Sequence, residues 1–170
     1  VLLPGKLDPA LLGSTTHLAV ADKEGNIVTL TQSLGSGFGS GIAIGGTGIF
    51  LNNVANWFDL APEEASPNII GPRRLVEWCP TPAHVLKDGR SLLSIGTPGG
   101  YGIAQTTAQM LMHVLDFGMN IQESIEAPRF KCTVARHVEI EERFPLKVRT
   151  KLTRRGHQLD ILEPFSRGVG

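Results

Sequence analysis

The tripeptide Lys23-Glu24-Gly25 constrains this chain more than any other feature. It separates two runs, Thr15–Ala21 and Asn26–Ser33, in which apolar and polar side chains alternate. Alternation with period two marks a strand with one apolar face, and a short loop closed by glycine joins two such strands into a hairpin. The loop sets the register. With Asp22 opposite Asn26, Ala21 falls opposite Ile27, and the ladder runs on to Thr15 opposite Ser33. Leu18, Val20, Val28 and Leu30 then share one face, and Thr15, His17, Ala19, Thr29, Thr31 and Ser33 share the other. Directly paired residues have Cβ atoms about 5 Å apart, which puts the two terminal hydroxyls within hydrogen-bond reach.

Residues 1–14 read as a flexible tail, punctuated by Pro4-Gly5, Asp8-Pro9 and Gly13-Ser14. After the hairpin, Gly35-Ser36-Gly37-Phe38-Gly39-Ser40-Gly41 has neither the Lys-Ser/Thr of a P-loop nor a full GxGxxG. It reads as a mobile or tightly approached loop, not a phosphate cradle. Ile49-Phe50-Leu51 predicts a short buried strand ending at Asn52-Asn53, and 59–80 a long surface connection. Thr81–Val85 and Ser91–Ile95 predict a second hairpin around Lys87-Asp88-Gly89. Gly96-Thr97-Pro98-Gly99-Gly100 leads into a helix marked by Ile103, Met110, Leu111, Val114 and Leu115. Asn120 and Glu123 have capping-box spacing for a shorter helix that Pro128 ends. A strand at Val138–Ile140, a helix at Pro145–Arg155 and a strand at Gln158–Leu162 complete the pattern. Strands and helices mix without strict βαβ alternation, so the class is α+β.

Composition narrows the function. The chain is 41% hydrophobic and 19% charged, as soluble globular chains are. Sixteen basic residues balance sixteen acidic ones, so no overall charge recruits nucleic acid or an anionic membrane. Arg73-Arg74 and Arg154-Arg155 read as solvated surface. Cys79 and Cys132 lack metal-ligand spacing and demand no disulfide, and none of the histidines is spaced as a ligand pair. No apolar run approaches a membrane span. The chain opens on Val1 rather than Met and stops at Gly168-Val169-Gly170 in mid-pattern, so it is expected to be part of something longer.

Two places could carry chemistry. A threonine hydroxyl is a weak nucleophile until a base takes its proton, and a threonine at a chain terminus has that base in its own α-amine. Thr15 is internal, so this chemistry requires cleavage of the Ser14–Thr15 bond. Gly99-Gly100, between a strand and a helix, could aim backbone N–H groups at a developing oxyanion. The same turn could equally be a glycine pair that lets a strand pack closely on a helix.

Taken in order, several motifs resemble the small subunit of γ-glutamyltranspeptidases. They are Thr15-Thr16-His17-Leu18-Ala19-Val20-Ala21-Asp22, Phe38-Gly39-Ser40-Gly41, Gly48-Ile49-Phe50-Leu51-Asn52-Asn53, Lys87-Asp88-Gly89, Gly96-Thr97-Pro98-Gly99-Gly100 and Ala127-Pro128-Arg129-Phe130. The resemblance implies an αββα four-layer sandwich of the N-terminal-nucleophile hydrolases, with this chain as the catalytic half. It implies that 1–14 end a large subunit or pro-segment and that 15–170 are the catalytic small subunit, cut short at its C-terminus. It further implies self-cleavage at Ser14–Thr15, Thr15 as nucleophile, Ser33 in place of a threonine that hydrogen-bonds it, and Gly99 and Gly100 as oxyanion-hole glycines. The expected partners are a large subunit from the same precursor and a small-molecule amide, with no metal, cofactor, nucleic acid or membrane. Members occupy the periplasm, the cell surface and the cytoplasm, so the compartment stays open.

The substrate side departs from the family pattern. Trp57 stands where an aspartate pairs with the glutamyl α-ammonium, Trp78-Cys79 replaces two serines that hold the α-carboxylate, and Gly35 replaces an asparagine that contacts the same end. Losing the carboxylate partner of a desolvated ammonium costs roughly 1.5–3 kcal/mol. An autoprocessing amidohydrolase acting on a less zwitterionic acyl group, such as an oxamate-like or glutaryl-like amide, is therefore expected. A glutathione hydrolase or γ-glutamyltransferase is the second expectation, and a non-catalytic binding relative the third. Without a large subunit the chain is expected to expose a broad apolar face and to associate.

Overall fold

The computed structural model describes residues 15–60 and 66–166. The expected tail over 1–14, with Ser14, and residues 167–170 lie outside the described residues. The first hairpin forms as its loop dictates. β1 (Thr15–Ala21) pairs antiparallel with β2 (Ile27–Ser33), and Thr15 stands opposite Ser33. Gly25 closes the loop at φ 87°. The Asp22 carboxylate accepts from the Asn26 backbone N–H at 2.8 Å and from its side-chain amide at 2.7 Å, which pins both ends of the loop.

The second hairpin has a tighter turn than the sequence predicts. β3 (Ala83–Lys87) pairs with β4 (Arg90–Ile95), so Lys87 joins the ladder opposite Arg90. Only Asp88 and Gly89 remain in the turn, at φ 52° and 72°. Two consecutive positive φ values give the mirror-image turn that matches strand twist. The buried strand expected at Ile49–Leu51 does not form. Three glycines at 45, 46 and 48 fold this segment back on itself, with Ile44 N–H donating to Ile49 O at 2.8 Å and Leu51 N–H to Ile42 O at 2.9 Å. A single bridge joins Ala43 to Phe50, and Ile49 and Leu51 stay exposed.

α1 (Ile103–Leu115) buries Ile103, Thr106, Thr107 and Met110, a stripe with helical spacing. α2 (Ile121–Glu126) carries the expected capping box: Asn120 accepts from Glu123 N–H at 2.9 Å, and the Glu123 carboxylate accepts from Asn120 N–H at 2.8 Å. β5 (Phe130–Cys132), β6 (His137–Glu141) and β7 (Gln158–Leu162) make one sheet. β5 is too short to show a period and was not legible in the sequence. β6 and β7 run parallel, with α3 (Leu146–Arg154) as the crossover between them. The apolar core is Ile95, Ile103, Met110, Val138 and Ile140. At its edge the fully buried Glu141 carboxylate accepts from Arg143 Nε at 2.7 Å and from the Phe165 N–H at 3.1 Å, and the Arg143 guanidinium lies 3.9 Å over the Phe165 ring.

Among the described residues the strands form three separate sheets, of two, two and three strands. The first hairpin is turned against the usual sense. Its polar face is inward, with Thr31 8% exposed, while Val20 and Val28 on the apolar face are 61% and 62% exposed. This is the exposed apolar face that the sequence led us to expect.

Candidate active site

The register of the first hairpin places two hydroxyls at one end of it. Thr15 Oγ1 donates to Ser33 Oγ at 2.9 Å. Ser33 Oγ also accepts from the Gly35 N–H at 3.0 Å. The serine therefore holds the threonine hydroxyl on one side and the start of the glycine-rich loop on the other.

That loop is tightly approached. Gly35 has φ 90°, and a Cβ there would overlap the Asn53 side-chain oxygen; a Cβ at Gly39 would overlap Leu51 O. Asn53 is the clasp. Its Oδ1 accepts from Ser36 N–H at 3.0 Å, its Nδ2 donates to Ser36 Oγ, and its own N–H donates to Leu34 O at 2.9 Å. An asparagine at position 35 would meet this amide and the left-handed backbone together.

Glycines 96, 99 and 100 are needed for different reasons. The His17 ring lies where a Cβ of Gly96 would be, so Gly96 is the close-packing residue that seats β1 on the end of β4. Gly100 meets nothing within 4 Å and is required by its φ of 57°, and Gly99 by its φ of 134°. Two successive glycine conformations open a 3-10 turn at 100–102 that runs directly into α1. Backbone N–H groups in such a turn, at the positive end of a helix, suit an anion.

His17 is held by its own hairpin. Its Nδ1 lies 2.8 Å from Thr31 Oγ1 and its Nε2 3.4 Å from Thr29 Oγ1, and burial lowers its pKa. An open cavity of about 400 Å³ lies beside it, walled by His17, Gly96, Thr97, Met110, Ile125 and Arg129. Thr15 and Ser33 are not among its walls, so it is separate from the hydroxyl pair.

The substituted substrate-end residues come together as well. Trp57 and Trp78 have ring centroids 5.7 Å apart with planes at 37°. Tyr101, one residue beyond Gly100, adds a third ring 5.4 Å from Trp57 at 31°. Cys79 is half-buried, and burial together with the Glu77 carboxylate pushes its thiol pKa up, away from the reactive thiolate. Asn53, Asn68 and Tyr101 were not singled out in the sequence. Each acts across long chain separations, and only the apolar-run ending at Asn52-Asn53 offered any signal. Among the described residues no group of His, Cys, Asp and Glu could hold a metal, and no helix is long and apolar enough to cross a membrane.

A hydroxyl pair opens the first hairpin, and a double-glycine turn starts the long helix, in a chain of mixed helices and strands. The chain belongs to the gamma-glutamyltranspeptidase family, whose model matches residues 7–169. It is 39% identical over 135 residues to the glutathione hydrolase proenzyme of Escherichia coli (strain K12), covering 75% of this chain and 23% of that protein. The chain thus spans about a quarter of the length of the curated relatives it matches. Among solved structures, a Helicobacter pylori gamma-glutamyltranspeptidase superposes with TM-score 0.78 at 32% identity, covering 86% of this chain and 84% of that one. A cephalosporin acylase from Bacillus halodurans superposes with TM-score 0.76 at 33% identity, covering 90% of this chain and 28% of that one.

Proposed function

We propose that this chain is the catalytic part of an autoprocessing threonine amidohydrolase, acting on an amide whose acyl group lacks the amino-acid zwitterion of a γ-glutamyl group. The observation that carries the reading is the 2.9 Å bond from Thr15 Oγ1 to Ser33 Oγ, at the first residue of β1. Residues 1–14 are the end of the preceding large-subunit segment, and 15–170 belong to the small subunit. The two subunits, cut from one precursor at Ser14–Thr15, complete a four-layer αββα sandwich. The exposed apolar stripe of β1 and β2 supports burial against a partner layer, since large uncovered apolar patches are unusual on a finished protein.

Cleavage frees the Thr15 α-amine to act as the base. The amine takes the Oγ proton as Oγ attacks the amide carbonyl, and the carbonyl oxygen becomes an oxyanion facing the Gly99-Gly100 turn. The C–N bond breaks as the Thr15 α-ammonium returns its proton to the leaving nitrogen, the product amine departs, and the acyl group remains as an ester on Thr15. Water then attacks the ester, releasing a carboxylic acid and restoring the hydroxyl; an amine in place of water gives transfer. Positioned oxyanion donors are worth about 10²–10³ in rate each.

Trp57, Trp78, Cys79 and Gly35 supply neither the carboxylate nor the hydroxyls that an α-ammonium and α-carboxylate need. This supports an acylase-type substrate, with oxamate-like and glutaryl-like amides as the simplest cases, as does the likeness to a cephalosporin acylase. Similarity to a glutathione hydrolase favours γ-glutamyl compounds as the second reading. The test is intact mass of the full-length protein, followed by an amide panel on wild type and Thr15→Ala. Cleavage before Thr15 and Thr15-dependent amine release are expected. An uncut chain without Thr15-dependent turnover would leave only the reading of a non-catalytic binding relative.

A further inference from the structure

We propose that Trp57, Trp78 and Tyr101 form a stacking wall for the acyl side chain, so that the amide acted upon carries a flat aromatic acyl group. The proposal rests on Thr15 as the nucleophile and names the substrate class for that same site. Three segments far apart in sequence bring the rings together in one tilted column, with centroids 5.7 Å and 5.4 Å apart. Tilted contacts at these distances are favourable in themselves, and the two end rings keep their outer faces for a further flat group.

The column is built and held. The Asn68 side-chain amide spans two of its segments: its Nδ2 donates to Trp57 O at 2.6 Å, and its Oδ1 accepts from Glu77 N–H at 2.7 Å. One side chain thereby sets Trp57 beside Trp78, whose backbone adjoins Glu77. The middle ring and one end ring of the column each connect to the candidate active site. Tyr101 belongs to the 3-10 turn that Gly99 and Gly100 open. Trp57 ends the 3-10 turn that follows Asn53, and Asn53 clasps the loop running from Ser33 through Gly35 to Ser36. The wall therefore connects the nucleophile's loop to the oxyanion turn.

Exposure and charge point the same way. Trp78 is 46% and Tyr101 54% exposed, so this chain's described residues leave part of each ring open. Aromatic rings offered in this way give large contact area at little entropic cost. Burial raises the Tyr101 pKa, and the Glu77 and Asp59 carboxylates raise it further, which puts a negative field at this ring. Those carboxylates offer no partner to an acyl tail ending in a carboxylate, so among the acylase-type amides proposed above the aryl ones gain most from the wall. The reaction stays balanced as above: an arylacetyl amide and water give an arylacetic acid and the free amine.

The test uses the full-length processed protein with phenylacetyl, glutaryl, oxamate and γ-glutamyl amides of one chromogenic amine. We expect kcat/KM for the phenylacetyl amide to exceed the others by about tenfold or more, the worth of burying one ring. In Trp57→Ala that ratio should fall towards one, chiefly through KM. Stoichiometric labelling of Thr15 by an amide-site electrophile checks that each variant is folded. If Trp57→Ala is not labelled, Tyr101→Ala, at the half-exposed end ring, replaces it and should lose the preference; a preference untouched there overturns the wall equally. Thr15-dependent turnover with no aryl preference, or an aryl preference untouched in Trp57→Ala, overturns the wall and leaves the amidohydrolase standing. Absence of Thr15-dependent turnover with every amide overturns both.

Discussion

Replacing Ser33 by alanine removes one oxygen that serves two donors. Ser33 Oγ accepts from Thr15 Oγ1 at 2.9 Å and from Gly35 N–H at 3.0 Å. Both distances are those of well-formed hydrogen bonds. The Thr15 hydroxyl has three staggered rotamers, and the bond selects one. Losing that selection costs up to about threefold in the fraction of correctly aimed hydroxyl, and losing a bond of about 1 kcal/mol costs a further fivefold or so. Because Ser33 is half-buried, water recovers part of the second factor, so Thr15 reactivity should fall roughly tenfold in all. Stability of the full-length protein should fall by about 1–2 kcal/mol, as the Gly35 N–H loses its partner too. Ser33→Thr keeps the oxygen and should remain within about threefold of wild type. The assay is the rate of Thr15 labelling by an amide-site electrophile, together with intact mass for cleavage before Thr15. A Ser33→Ala protein that cleaves and labels at the wild-type rate would show that the hydroxyl pair is only hairpin packing.

Gly100→Ala should fold, because open space surrounds the new Cβ, but its φ of 57° imposes about 1–2 kcal/mol of strain. Relief by rotating the turn should slow acylation about tenfold, and an unchanged single-turnover rate would separate the turn from the chemistry. Glu141→Gln leaves the partly exposed Arg143 guanidinium beside a neutral group, and should cost about 2–3 kcal/mol in urea unfolding of the full-length protein. A loss under about 1 kcal/mol would mean that this buried pair contributes little. Burial holds the folded-state pKa of His17 below its ordinary value, so folding disfavours the protonated ring. Its contribution is complete above about pH 6.5 and is lost as pH falls through the depressed folded value, because the unfolded chain then binds the proton more readily. Amide exchange in β1, corrected for intrinsic rates, should accelerate over that range in wild type and not in His17→Asn. The same acceleration in His17→Asn would assign the effect to another group.

What the sequence revealed and what it hid divide by range. A loop of Lys23-Glu24-Gly25 fixes a ladder, so Thr15 opposite Ser33 follows from counting, and the Asn120–Glu123 box follows from helix ends three residues apart. The turn at Asp88-Gly89 was misjudged by one residue because aspartate tolerates a positive φ there, which places Lys87 in the strand. Ile49–Leu51 looked like a buried strand because apolar content alone does not say whether a segment finds a partner. Here the glycines turn it back on its own neighbours. The aromatic column was least legible. Trp57 and Trp78 stood out only as departures from a family pattern, and Tyr101 and Asn68 not at all, since no periodicity links residues from three separate loops.

That division has a consequence for how such a chain can change its substrate. The hydroxyl pair depends on one hairpin register, which any residue on the exposed side of the hairpin leaves intact. The ring column depends on the segment around Asn68, whose amide couples Trp57 O to the Glu77 N–H and whose neighbours bridge to Asp59. Substitutions within 53–79 can therefore rebuild the surface facing the acyl group without moving Thr15 relative to Ser33. The two parts meet at Asn53, whose side chain fills the space a residue larger than glycine would need at position 35. A return to amino-acid recognition would thus require more than restoring one anchor: Gly35→Asn alone collides with Asn53, and Trp57→Asp alone faces the negative field of Glu77 and Asp59. Either single change should lower activity on every amide in the panel rather than shift preference towards γ-glutamyl, and a γ-glutamyl gain from either one alone would show that the recognition surface is not coupled in this way.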